Sequence, residues 1–207
     1  MKKLLIVLWI LSLIFSFYCY QVFPDTIATH YDWQLQPDCF GDKISVFVHP
    51  LLLIGISLLL LLLSKFNPFK EQFLEFERTF WRVLEILAVF VLAMQVVEFL
   101  NVSYGMQGNG LALVIGLMLM VLGNYLPKVK YNYFIGIRTP WTYCSELNWY
   151  KTHRLGGRCF MLAGLAFLLY ALWHEGLLLW MASGMVLFPL IYSFLFYLKE
   201  LKQNARN

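Results

Sequence analysis

The apolar residues of this chain gather into six long runs, at residues 4–20, 44–63, 80–100, 110–126, 159–173 and 177–198. All but the shorter fifth run are close to the helix length, about 20 residues, that crosses a bilayer core of about 30 Å, and the pattern predicts six membrane spans. The intervening segments are polar. Residues 21–43 hold Pro24, Pro37, Gly41, Asp25, Asp32, Asp38 and Asp42, which is turn chemistry without helix periodicity and predicts an acidic loop. Residues 64–79 read as a solvated connection, 101–109 as a short link, His174-Glu175-Gly176 as a tight turn and 199–207 as a polar tail. The start looks like a signal peptide, with Lys2 and Lys3 ahead of an apolar core. Bulky Phe17, Tyr18 and Tyr20 stand where a peptidase needs small residues, so it is expected to remain as the first span.

Composition supports this reading. With 60% apolar and 14% charged residues in 207, the chain lies outside soluble-protein averages and reads as an all-α integral membrane protein. Its net charge of +4 is explained by orientation and implies no direct contact with nucleic acid. Of the 16 basic residues, 15 fall at the N-terminus, between spans two and three, between spans four and five, or at the C-terminus, counting Arg82 and Arg158 at the span edges; Lys43 alone falls on the other side. Cytoplasmic loops concentrate Lys and Arg, so both termini are expected in the cytoplasm and the acidic loop outside. The expected organisation is a two-span unit at 1–64, a third span with its connections at 65–109, and a unit of three spans with a cytoplasmic loop at 110–207. Cys19, Cys39, Cys144 and Cys159 are scattered without CxxC spacing and signal neither zinc nor redox chemistry.

The most distinctive segment is residues 133–158, YFIGIRTPWTYCSELNWYKTHRLGGR. Thr139-Pro140 interrupts any helix, so residues 132–142 are expected as an irregular loop dipping into the interface, where Trp and Tyr prefer to sit. Ser145 is the expected N-cap. Residues 146–155 then read as a short interfacial helix with Glu146, Trp149, Tyr150 and His153 on one face, ending where Gly156 and Gly157 turn the chain into span five. Two uses of this segment stay open on physical grounds. It anchors in the headgroup layer of the membrane lipid, or Arg138, Trp141, Glu146, Trp149, His153 and Arg154 form a partner-binding surface.

Ionisable and polar groups inside spans are unfavourable and tend to face protein or water. His49, Glu85, Glu98 and Asn124 are the candidates. Arg82 and Glu85 are spaced to pair at one end of span three, and Glu85 with Asn124 is the sharper alternative, a polar pocket under the central stretch. Glu98 and Gln95 lie at the other end of span three, at the depth of His49, either as an outward-facing site or as an interface group. No HExxH, GxSxG or spaced carboxylate pair occurs, so no enzyme, metal or cofactor is expected.

The central segment resembles the SdpI family of bacterial membrane proteins, whose hallmark is an (I/L)G(I/L)RTPWT core followed by a Trp and a Thr-His step leading into a span. Gly136, Arg138, Thr139, Pro140, Trp141 and Thr142 match the core, and Trp149, Thr152, His153 and Gly157 match the steps beyond it; Gly123-Asn124 also fits. The first loop is similar to the domain often found ahead of that segment, at Phe23-Pro24-Asp25, Thr29-His30-Tyr31 and Pro37-Asp38. Phe23 stands where Leu is usual, and the expected Asn-Gly turn is absent. The resemblance implies a membrane protein without cofactor that gives immunity to a secreted peptide toxin, sensed outside, and that sequesters a cytoplasmic helix-turn-helix repressor. The alternative carried by His49, Glu85 and Glu98 is a transporter of ions or small molecules.

Overall fold

The computed structural model describes residues 2–65, 70–105, 109–132 and 135–204. Helix α1 (Lys2–Val22) is followed by strands β1 (Thr26–Tyr31) and β2 (Pro37–Asp42), then α2 (Val48–Lys65), α3 (Lys70–Tyr104), α4 (Asn109–Tyr125), the single turn α5 (Pro140–Tyr143), α6 (Glu146–Trp173) and α7 (Gly176–Asn204). Six of these, α1 to α4, α6 and α7, are long and apolar enough to cross a membrane, and the chain is a multi-pass membrane protein. Large apolar side chains such as Ile14, Leu51, Leu172 and Leu195 are exposed along them. That would be a liability in water and is the ordinary state of a surface facing lipid.

The chain divides into two compact units, residues 1–114 and 115–207, with α4 contributing its first turns to one and the rest to the other. In the first unit, α1 packs on α3 through a buried polar cluster. Gln95, 3% exposed, accepts from Ser12 Oγ at 2.8 Å and donates to Ser16 Oγ at 2.7 Å, and Ser16 Oγ donates to the Val46 carbonyl at 2.9 Å. Gln95 therefore joins helices and does not share an outward site with Glu98.

Residues 26–42 correct the expectation of a plain loop. They form an antiparallel hairpin that pairs Thr26 with Asp42, Ile27 with Gly41 and Ala28 with Phe40, then loses register around His30. The turn is held by Asp32, whose carboxylate accepts from the backbone N–H of Gln34 and Gln36, each at 2.8 Å. Ile27, 2% exposed, is buried with Cys19, Phe23 and Val46. The hairpin therefore has a small apolar root of its own.

The second unit corrects two further expectations. Residues 146–155 form no separate interfacial helix, because α6 runs unbroken from Glu146 to Trp173. Its glycines serve close packing. A Cβ on Gly157 would come within 2.7 Å of the Gly123 carbonyl, one on Gly123 within 2.7 Å of the Gly157 carbonyl, and one on Gly116 within 2.8 Å of the Gly164 carbonyl. Seven-residue spacing on both α4 and α6 thus puts backbone against backbone at two levels, the small-residue packing that joins helices in lipid. Thr139-Pro140, expected to stay irregular, starts α5. Thr139 Oγ1 and Thr142 form a reciprocal capping box, and Pro140 occupies the first helical turn, where its missing N–H costs nothing.

Candidate functional site

The central segment of the second unit is folded inward. Trp149 and His153 are 0% and 1% exposed, and their rings stack with centroids 4.1 Å apart. The Ile137 N–H can only donate, and it points at His153 Nε2 from 3.0 Å. Nδ1 therefore carries the hydrogen and donates to the Trp149 carbonyl at 2.8 Å, which makes the imidazole neutral with a fixed tautomer. Trp149 Nε1 donates to the Val129 carbonyl at 3.0 Å. Gly136 permits this fit. Its φ is +130°, and a Cβ there would be driven into His153 Nε2.

A second cluster ties the motif to α7. Trp141 Nε1 donates to Ser193 Oγ at 2.6 Å, Asn148 Nδ2 donates to the Ser193 carbonyl at 3.0 Å, and Thr152 Oγ1 donates to Asn148 Oδ1 at 2.9 Å. Asn148, Thr152 and Ser193 are fully buried. Neither Asn148 nor Ser193 stands out in the sequence; a polar residue on the inner side of an otherwise apolar helix is the available signal.

The expected partner face is therefore divided. Trp149 and His153 are withdrawn from it because their polar atoms bond inside the protein, and Trp141 is half-buried. Arg138, Glu146 and Arg154 are exposed, as are Lys151 and Arg158. Glu146 and Tyr150 face outward while Trp149 and His153 face inward, so the four do not share a face. Asn124 is exposed and accepts from Lys128 Nζ at 3.4 Å, one turn along. In the first unit, Glu85 meets Arg82 at 3.1 Å, with the guanidinium half exposed and the carboxylate buried.

The other expected polar residues come together at the hairpin end of the first unit. His49 Nδ1 lies 3.5 Å from Glu98 Oε2, close enough for charge interaction and too long for a good hydrogen bond. Both line a cavity of about 360 Å³ together with Tyr31, Ser45, Val97 and Asn101. Sequence reasoning misses Tyr31, Ser45 and Asn101 because the hairpin reads as a loop, Ser45 as part of an apolar span and Asn101 as part of a link. The β-branched residues Thr26, Ile27 and Thr29, gathered within four positions, are the signal for a strand. No group of three or more His, Cys, Asp or Glu suited to a metal exists among the described residues.

Comparison with known proteins bears on the motif first. The SdpI/YfhL protein family matches residues 128–193, which contain the whole Trp149–His153 and Trp141–Ser193 arrangement. Residues 128–193 are an SdpI-family segment. A domain of unknown function, DUF1648, matches residues 7–54, which include most of α1, the hairpin and the start of α2. The chain is similar to the immunity protein SdpI of Bacillus subtilis (strain 168), at 25% identity over 79% of each chain. No solved structure matches. The SdpI segment thus contains both of the buried polar clusters described in the second unit.

Proposed function

We propose that this is a membrane immunity protein that gives resistance to a secreted antimicrobial peptide toxin, and that it holds a cytoplasmic helix-turn-helix repressor at the membrane. The observation that carries the reading is the SdpI-family segment at 128–193, found in a chain similar along most of its length to an immunity protein. The concentration of Lys and Arg beside this segment supports a cytoplasmic position for it. Exposed Arg138 and Arg154, with Glu146, are the groups offered to the repressor, and the Trp149–His153 stack and the Trp141–Ser193 bond hold them in place.

Deletion of the gene in its own host tests this. The deletion strain should lose viability in the host's own stationary-phase culture supernatant, and re-expression should restore it. Equal survival of deletion and parent strains would overturn the immunity reading. Re-expression of Arg138→Ala, confirmed in the membrane fraction, should separate the two roles: protection is retained while co-purification of a cytoplasmic DNA-binding protein is lost.

A further inference from the structure

The first unit contains a site that the motif does not explain. Its cavity lies between β1, the beginning of α2 and the end of α3, and has the volume of a small ligand pocket. Ser45 Oγ, His49 Nδ1 and Asn101 Oδ1 are buried there with no hydrogen-bond partner among the described residues. Buried polar atoms are normally satisfied, and leaving them unmade is unfavourable. The fourth group is the Glu98 carboxylate, its side chain 15% exposed.

These groups share a polarity. Glu98 only accepts when ionised, and Asn101 Oδ1 only accepts because the amide nitrogen is turned to Tyr31 Oη at 3.4 Å. Ser45 Oγ can accept, and so can whichever His49 nitrogen is unprotonated. An anion would meet the carboxylate and the amide oxygen and be repelled. With His49 neutral and accepting, a neutral donor would leave the Glu98 charge without compensation. An ammonium supplies three donors and one positive charge. Ala28, Val48, Met94, Val97 and Leu111 make the remaining wall apolar, which suits a hydrocarbon stem. We propose that this cavity binds a primary ammonium group carried on an apolar stem, with Glu98 as counter-ion and Asn101, Ser45 and His49 as acceptors.

Two sources carry that chemistry, a lysine side chain and the amino end of a peptide. Full-length protein in phosphatidylcholine nanodiscs, with empty nanodiscs as control, would be titrated by saturation-transfer NMR with N-acetyl-lysine methylamide and with leucinamide. N-acetyl-norleucine methylamide has the lysine stem without the charge. At least one ammonium probe should bind, roughly tenfold or more tighter than the norleucine compound, and the stronger of the two names the source. Glu98→Gln should weaken it by a similar factor. Wild-type protein that binds neither ammonium probe, or binds the norleucine compound as well as the stronger of the two, overturns the proposal without any variant. So does undiminished binding by a monodisperse, helical Glu98→Gln protein.

Discussion

The SdpI-family motif and the hairpin-capped cavity both concentrate polar residues, yet they treat them in opposite ways. In the motif, Asn148, Thr152, Trp149, Trp141 and His153 all bond to partners inside the same unit. In the cavity, Ser45, His49 and Asn101 hold buried atoms that bond to nothing among the described residues. A polar network in a low-dielectric interior rigidifies when it is fully satisfied. The same groups left unsatisfied are unfavourable to the fold and poised for a ligand. The most recognisable residues of the chain are thus chiefly a scaffold, and less conspicuous ones form the more open site.

The largest effect that tests this contrast is at Gly136. In Gly136→Ala the new Cβ meets His153 Nε2 and Trp149 at a φ of +130°, which combines a strained backbone with overpacking. A loss of about 2–5 kcal/mol is expected, read as a large drop in the thermal midpoint of detergent-solubilised protein. A wild-type midpoint would mean that His153 is not wedged against this turn, and the motif would no longer count as scaffold.

A matched pair in the first unit sharpens the contrast at smaller scale. Gln95→Leu removes bonds to Ser12 and Ser16 between α1 and α3 and should lower stability by about 1 kcal/mol, since interhelical bonds in lipid are modest. Ser45→Ala removes a buried hydroxyl without a partner among the described residues, so stability should be unchanged or slightly raised. The thermal midpoints of both variants check this. Equal losses would show that the Ser45 hydroxyl is already bonded in the folded protein and that the cavity lacks the open groups argued for it.

How much of the fold is legible in the sequence depends on which forces act locally. The six spans are legible because lipid demands length and apolarity: α1, α3, α6 and α7 contain their expected runs whole, and α2 and α4 contain all but one end of theirs. The boundary at Gly156-Gly157 misleads because glycine permits a turn and also permits helices to touch. Only the facing Gly123 and Pro127 decide between these, and they lie about thirty residues away. The face assigned to Glu146, Trp149, Tyr150 and His153 fails for a related reason. Helical spacing says which residues are neighbours, but the inward direction of Trp149 is set by Val129 and Tyr131. The His49–Glu98 neighbourhood is suggested by depth alone, whereas its closure by Tyr31 and Asn101 needs the hairpin.

The smallest expected effect belongs to the ion pair at the foot of that hairpin. Asp25 lies 2.8 Å from Lys43 Nζ, but its side chain is 93% exposed, so water screens most of the attraction. The hydrogen bond from Lys43, and secondly its charge, hold the Asp25 carboxyl below the usual carboxylate range. A lowered folded value means the pair contributes stability above the unfolded carboxyl pKa, about 3.9. That contribution is lost as pH falls through the lower folded value. The thermal midpoint of wild type should therefore exceed that of Asp25→Asn by no more than about 2 °C at neutral pH, and the difference should shrink only below about pH 4. The bond from the Lys43 N–H to the Asp25 carbonyl, 3.0 Å, survives the substitution and keeps the hairpin closed. Molar salt should erase what remains. A large difference that persists in salt would mean that the hairpin depends on the Asp25 carboxylate itself, and the cavity roof would then be held by charge, not by the buried Ile27 root.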